Sequence, residues 1–442
     1  MGLGSFGGGS GVARALARRG ARVTVTDLRP LEQLAEARAD LEGLDVRWEA
    51  GGHREEFFAP GTTVVVNPAV PQESPWLALA RRNGCELTTD VNLAIAASAH
   101  VPSFAVTGTH GKSTCAALAA HLLSALPGRT VLAGNLGGSL LERVEGLGAA
   151  DRLVVEMSSF QTETLQAPRG WPRIAALTCL REDHLDRHGT REAYAAAKRR
   201  LLEFQDERGL ALIPESDPES AAWAGAARGE VIRLGPALLK EWNLAPHDLP
   251  FPEPFRMPSL LAAAVAALRL GLPLAALKPG LRAFPGLPHR MERLAGPAGS
   301  VVVDNGVATH PEPTAAALRH MPGHVVLLAG GKDKMLALDS LADACCDCTR
   351  IYLFGEGGAR LAASLPARAP TPRCFQGSRA AMRAALEDLQ PRETLLFSPS
   401  FASFDEYRNF RDRALVFRDL CAEIRVREIQ RGVASADQET RR

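Results

Sequence analysis

The chain has 442 residues, more than one hydrophobic core accommodates, so roughly two to four domains are expected. Its 51 basic and 50 acidic side chains leave no global field, which removes the electrostatic argument for a nucleic-acid or anionic-membrane partner and confines any anion site to a local cluster. No apolar run approaches a membrane span, no charged-then-apolar leader opens the chain, and the eight cysteines lack zinc-type spacing, so the expectation is a cytoplasmic protein with reduced thiols.

The opening "MGLGSFGGGSGVARALARRGARVTVTDL" carries a glycine turn, an amphipathic helix, a strand and an acidic Asp27 at the strand end, the parts of a nucleotide-binding βαβ unit. The glycine spacing is irregular, and a flexible loop is the competing reading. An apolar strand should lead into Gly2, yet the sequence starts at Met1, so a further strand is expected upstream. "TTVVVNPAVP" and "GCELTTDVNLAIAA" complete an α/β unit ending near residue 98.

"SFAVTG", "TVLAGN", "RLVVEM", "RIAALT" and "GLALIP" then alternate with helical stretches, which predicts a parallel sheet covered by helices with function at its strand ends. After the first of these comes "TGTHGKST". A strand, a glycine turn and a helix place backbone N–H groups and the positive helix end around one spot, the arrangement that binds phosphate. Gly108 and Gly111 permit close approach, Lys112 can neutralise outer phosphates, and Ser113 or Thr114 can ligate Mg²⁺. The usual pattern would need glycine where Val106 stands, so this is a short variant of it. His110 reads on its own as an ordinary loop histidine.

Further clusters follow in chain order. Glu156 closes the strand of "VVEMSSFQ", where a carboxylate can hold a nucleotide-bound Mg²⁺. "REDHLDRH" brings Asp183, His184, Asp186 and His188 together, as a metal cluster or as a solvated turn. Lys198 in "YAAAKRR" reads locally as a solvated helical lysine. A Pro-rich stretch between Pro236 and Pro258 precedes the buried helix "LLAAAVAALRLG", and "GLPHRME" places His289 and Arg290 at a hinge or anion contact. From about residue 295, "SVVVDNG", "HVVLLAGG", "RIYLFGEGG" and "ETLLFSPS" predict a third, doubly wound unit, with a polar tail after Glu428 expected to fray.

In this order TGTHGKST, EMSSFQ, EDHLDR, YAAAK, GLPHR, GGKDK and SPSFASFD resemble, over nearly the whole chain, the ATP-dependent Mur ligases. S-S-F-Q and G-L-P-H-R followed by S-P-x-x-A-S-x-D point, within them, to members that add D-glutamate to UDP-N-acetylmuramoyl-L-alanine. The resemblance implies an α/β protein of three domains: residues 1–98 Rossmann-like for the UDP substrate, 99–294 a central parallel-sheet P-loop ATPase, and 295–442 Rossmann-like for the amino acid. It implies ATP and two Mg²⁺ ions as cofactors, small-molecule substrates, no nucleic acid, no stable membrane insertion, and a monomer.

Carried over residue by residue, Gly108, Thr109, His110, Gly111, Lys112, Ser113, Thr114 and Arg290 would contact ATP. Ser113 and Glu156 would hold one Mg²⁺, and His184 with Lys198 a second. Lys112, His184 and Lys198 are the implied catalytic residues, Lys198 being commonly carbamylated in the family. Asn135, Ser158 and Gln161 would touch the muramoyl part, and Thr309, Lys334, Ser403 and Phe410 would grip D-glutamate. Three positions depart from the family. Its H-N-x-x-N is here Phe255 to Ser259, its D-S-K-A-T is Asn305 to Thr309 with Asp304 alongside as a substitute carboxylate, and Cys179 stands where asparagine is common. A related ligase with another acceptor, or a non-catalytic relative that binds nucleotide sugar, are the alternatives.

Overall fold

The structure is a computed structural model describing the backbone of residues 1–4 and 7–439, with side chains described except at Asp186, Glu428, Ile429 and 431–439. It separates into two compact units, residues 1–284 and 285–442.

The first unit opens with four short strands, β1 (Val23–Asp27), β2 (Val46–Ala50), β3 (Thr63–Val65) and β4 (Glu86–Thr88). They pair in parallel as β1 with β2 and β3 with β4, two separate two-stranded sheets. The first residues run between them: Gly2 N donates to Thr26 O at 2.8 Å, and Asn67 N to Met1 O at 3.0 Å. The helix Gly8–Arg18 that follows the glycine turn buries Val12, Ala13 and Ala15.

Six parallel strands form the centre: β5 (Ser103–Thr107), β6 (Thr130–Gly134), β7 (Arg152–Glu156), β8 (Ile174–Leu177), β9 (Leu210–Pro214) and β10 (Glu230–Leu234), in the order β10-β9-β8-β5-β7-β6. β5 and β8 are buried at every residue, as the apolar runs "FAV" and "IAAL" require of strands covered on both faces. On one face the helix Lys112–Leu123 lies against the helix Met257–Arg269. Ala116 and Ala119 on the first, with Ala262, Ala263 and Ala266 on the second, are all fully buried, and small side chains let the two helices approach closely. The all-round apolar "LLAAAVAAL" is thus the inner helix its composition predicts.

In the second unit β11 (Glu292–Ala295) runs antiparallel to β12 (Val301–Asp304), and the parallel strands β13 (Val325–Gly330), β14 (Arg350–Phe354), β15 (Arg373–Phe375) and β16 (Thr394–Ser400) complete the order β11-β12-β16-β13-β14-β15. Its last helix, Phe410–Glu439, carries helical backbone through the tail expected to fray. No described helix is long and apolar enough to cross a membrane.

Candidate active site

Chain order and spatial order diverge at β5. The chain leaves it for the edge strand β6, returns to β7 beside it, and then passes to β8 on its other side. A crevice outside the carboxyl ends of the strands results at such a switch point. Three segments meet there: the loop 108–111 after β5, Glu156 at the end of β7, and Thr178–Cys179 after β8.

The loop is tightly built. Gly108 has φ 145°, and a Cβ there would stand 2.0 Å from Thr178 Oγ1; Gly111 has φ 83°, and its Cβ would stand 2.2 Å from Ser259 Oγ. A side chain at either position would be strained and would displace the neighbouring hydroxyl. Thr109 N donates to Cys179 O at 2.9 Å, and Ser259 Oγ to Gly111 O at 3.1 Å. Ser259, last of the five residues that depart from the family's H-N-x-x-N, thus braces the phosphate loop. Cys179 Sγ accepts from His110 N at 3.4 Å, so this cysteine too supports the loop backbone. Gly111 caps the helix Lys112–Leu123, whose first turn holds Ser113 and Thr114, both buried. Lys112 Nζ folds back onto Gly108 O (2.9 Å) and Thr109 O (2.8 Å), on the loop that its ammonium would leave for a phosphate.

Glu156 is 2% exposed. Its Oε1 accepts Asn135 Nδ2 at 3.0 Å, while Oε2 is buried without a hydrogen-bond partner among the described residues. A buried anionic oxygen left so is costly unless a cation meets it. The oxygen donors of Glu156 and Ser113 suit Mg²⁺ in kind. Asn135 thus orients the carboxylate, while Ser158 and Gln161 bond each other in a capping box: Ser158 Oγ accepts Gln161 N at 3.2 Å, and Ser158 N donates to Gln161 Oε1 at 2.9 Å.

Lys198 is no solvated lysine. It is 1% exposed, donates to Gly108 O at 2.9 Å, and lies 4.5 Å from the ring centroid of Tyr194. Burial, then the nearby Lys112 ammonium, hold its amine well below the usual lysine range. A lowered amine pKa favours the neutral, nucleophilic form that carbamylation requires. Tyr194 Oη in turn lies 3.0 Å from Thr109 Oγ1, tying this helix to the loop, a contact that no motif in the sequence signals.

The run "REDHLDRH" divides. His184 adopts φ 53°, its Nε2 lies 3.4 Å from Asp183 Oδ2, and its ring stands edge-on to Phe160 at 5.0 Å. His188 instead bonds Ser159 Oγ through Nε2 at 3.0 Å and packs on Tyr194. Asp186 lies outside the described side chains. Among the described residues, the three-ligand group with metal-compatible spacing is His289, Glu292 and Asp304 in the second unit. There, His289 Nδ1 is 2.6 Å from Asp304 Oδ2 and Glu292 is paired with Arg418 at 2.7 Å, so the group is satisfied as an ion-pair network. Asp304 consequently does not stand in for the carboxylate of D-S-K-A-T: it is fully buried and committed to His289 and to Gly306 N.

The remaining candidates also belong to the second unit. Thr309 follows β12, Lys334 follows β13 and Ser403 follows β16, three adjacent strands that run parallel, so all follow the carboxyl ends of neighbouring strands in one sheet; Phe410 opens the last helix. Arg290 precedes β11. In the first unit sequence reasoning left Arg29 unnamed. Although burial opposes it, hydrogen bonds from Arg29 and from Leu3 N hold the Asp27 carboxyl at about 2.

Residues 106–244 match the model of the Mur ligase middle domain and 289–401 that of the Mur ligase glutamate ligase domain. The chain is 38% identical over 432 residues to the UDP-N-acetylmuramoylalanine–D-glutamate ligase of Geobacter metallireducens, covering 93% of this chain and 94% of that one. It is 34% identical to the enzyme of the same name from Roseiflexus sp., covering 95% and 96%. Among solved structures, the UDP-N-acetylmuramate-alanine ligase MurC of Thermotoga maritima shares the fold at a TM-score of 0.58 and 17% identity, covering 97% and 98%. The MurF ligase of Thermotoga maritima in complex with ADP does so at 0.56 and 14%, covering 86% and 97%.

Proposed function

This chain belongs to the Mur ligases, and from that membership we propose that it joins D-glutamate to UDP-N-acetylmuramoyl-L-alanine, with cleavage of ATP, in the synthesis of a peptidoglycan precursor. It is an ATP-dependent ligase that forms an amide bond. The observation that carries the reading is the site at β5: a glycine loop with Lys112 above it, next to a buried Glu156 with an unmatched oxygen.

A carboxylate is a poor electrophile, and its direct condensation with an amine in water is uphill. Phosphorylation supplies the leaving group. The alanyl carboxylate attacks the γ-phosphorus of ATP, ADP departs, and an acyl phosphate forms. The D-glutamate amine then adds to the acyl carbon, and the tetrahedral intermediate expels phosphate. Lys112 and the N–H groups of residues 111–114, at the start of the helix, neutralise and orient the phosphates held by the loop 108–114, with Arg290 as a further contact. Ser113 and Glu156 would hold one Mg²⁺ and His184, with a carbamylated Lys198, a second; bound there, the ions offset repulsion between carboxylate and triphosphate. Asn135, Ser158 and Gln161 serve the muramoyl side. Thr309, Lys334, Ser403 and Phe410 serve the acceptor, Lys334 supplying a cation for its carboxylate.

The functional division follows residues 1–98 for the UDP moiety, 99–294 for ATP and 295–442 for the amino acid, in a cytoplasmic monomer. Steady-state phosphate release across a panel of amino acids tests the acceptor. D-glutamate should stimulate it in the presence of UDP-N-acetylmuramoyl-L-alanine; stimulation by a different amino acid alone would reassign the acceptor, and none at all would leave a non-catalytic relative.

A further inference from the structure

The last helix begins by burying an arginine. Arg413 has no exposed surface, yet its hydrogen-bond acceptors are three main-chain carbonyls: Nη1 donates to Ala402 O at 3.1 Å and Gly330 O at 3.4 Å, and Nη2 to Phe401 O at 3.0 Å. Nε has no partner among the described residues. Burial pulls the guanidinium down to about 10 against the opposing pull of Asp405 and Glu406, so it remains a cation at neutral pH.

Those carbonyls belong to two segments that leave adjacent strands. One follows β13 and leads through Gly331 and Lys332 to Lys334; the other follows β16 and leads to Ser403. They are bridged by Lys332 N to Ala402 O at 2.9 Å and Ala402 N to Lys332 O at 3.1 Å. The guanidinium is packed closely enough that a Cβ on Gly331 would stand 2.9 Å from its Nη1 and 2.3 Å from Ala402 O. Phe410 lies three residues before Arg413 on the same helix.

A buried cation without a hydrogen-bonded carboxylate is a poor device for stability, since an apolar side chain of the same length would fill the space without the desolvation cost. Its use is geometric and electrostatic. We propose that Arg413 is a positioning residue for the acceptor: it pins the Gly330–Lys334 and Phe401–Ser403 segments to the start of the last helix, and sets a charge beneath the loops that favours an amino acid with an acidic side chain. The proposal rests on the acceptor site assigned above.

The test uses the full chain with Arg413→Met, which keeps the length and removes the charge, and Arg413→Lys, which restores charge alone. Arg413→Met should raise KM for D-glutamate about tenfold to a hundredfold, as displaced positioning groups do, while KM for ATP stays within about twofold and Tm does not fall. Arg413→Lys should recover part of the loss. Amide hydrogen exchange at Lys332 and Ala402 should quicken in Arg413→Met, with the sheet interior unchanged. Unaltered exchange at those two amides, an unaltered KM for D-glutamate, or a loss spread equally over all substrates with a lower Tm overturns the proposal. Should the wild-type chain ignore D-glutamate, the acceptor assignment fails, and the exchange measurement still decides whether Arg413 pins the loops.

Discussion

Asn135 donates its side-chain amide to one oxygen of Glu156 at 3.0 Å and leaves the other oxygen of that buried carboxylate unmatched among the described residues. The pair joins the ends of neighbouring strands, β6 and β7, so the backbone sets the direction in which the free oxygen faces. Asn135→Ala should therefore raise the Mg²⁺ concentration needed for half-maximal phosphate release by roughly tenfold to a hundredfold, as loss of an orienting partner does. Glu156→Gln should abolish that release while the fold persists, because a buried charge is removed and its shape kept. A Glu156→Gln variant with an unchanged Mg²⁺ requirement would exclude this carboxylate as a ligand.

Lys198 offers a pH-dependent prediction. Its folded-state pKa lies below its unfolded value, so between the two the unfolded chain binds the extra proton, and stability rises with pH through that window. Lys198→Met should flatten the rise, leave Tm at pH 7 equal or higher, and abolish turnover. Mass spectrometry of the protein kept in bicarbonate should find one added CO₂ on this residue. A stability profile identical to that of the wild type would contradict the lowered pKa of the buried amine.

Lys112→Ala should separate catalysis from folding. The ammonium donates to two loop carbonyls, Gly108 O and Thr109 O, which are easily resolvated. Removal should cost turnover roughly a hundredfold or more, by the scale of an electrostatic contact made at the reacting phosphate. Its effect on Tm should be small. Retained turnover would remove the loop's proposed role.

Asp27 predicts acid behaviour. Its carboxyl is held at about 2, below the ordinary value of 3.8, so the stability it contributes is present above about pH 4 and lost as pH falls towards 2. Asp27→Asn should be less stable at neutral pH and show a shallower loss of stability over that range. Denaturant titrations at several pH values decide it.

Much of this fold is legible in the sequence because the strands lining the two large sheets are buried on both faces and read as unbroken apolar runs. β2, β10, β11 and β15 escaped notice for the same reason reversed. They lie at sheet edges, and "VRWEA", "EVIRL", "ERLA" and "RCF" mix charge with apolar residues. Lys198 shows what local reading misses: a lysine on a charged helix is expected in solvent, and only tertiary packing against Tyr194 and the phosphate loop buries it. Asp304 shows another limit. Proximity in sequence suggested that it could replace a neighbouring carboxylate, but successive residues leaving a strand point to opposite sides, so Asp304 turns to His289 while Asn305 turns to Ser398.

The proposed reaction turns on transfer of a phosphoryl group from ATP to the substrate carboxylate. UDP-N-acetylmuramoyl-L-alanine labelled with ¹⁸O in its alanyl carboxylate, incubated with ATP, Mg²⁺ and D-glutamate, measures that step directly. One labelled oxygen should appear in each phosphate released, because the acyl phosphate breaks between carbon and the bridging oxygen. Phosphate released without the label, while amide product accumulates, would contradict the mechanism.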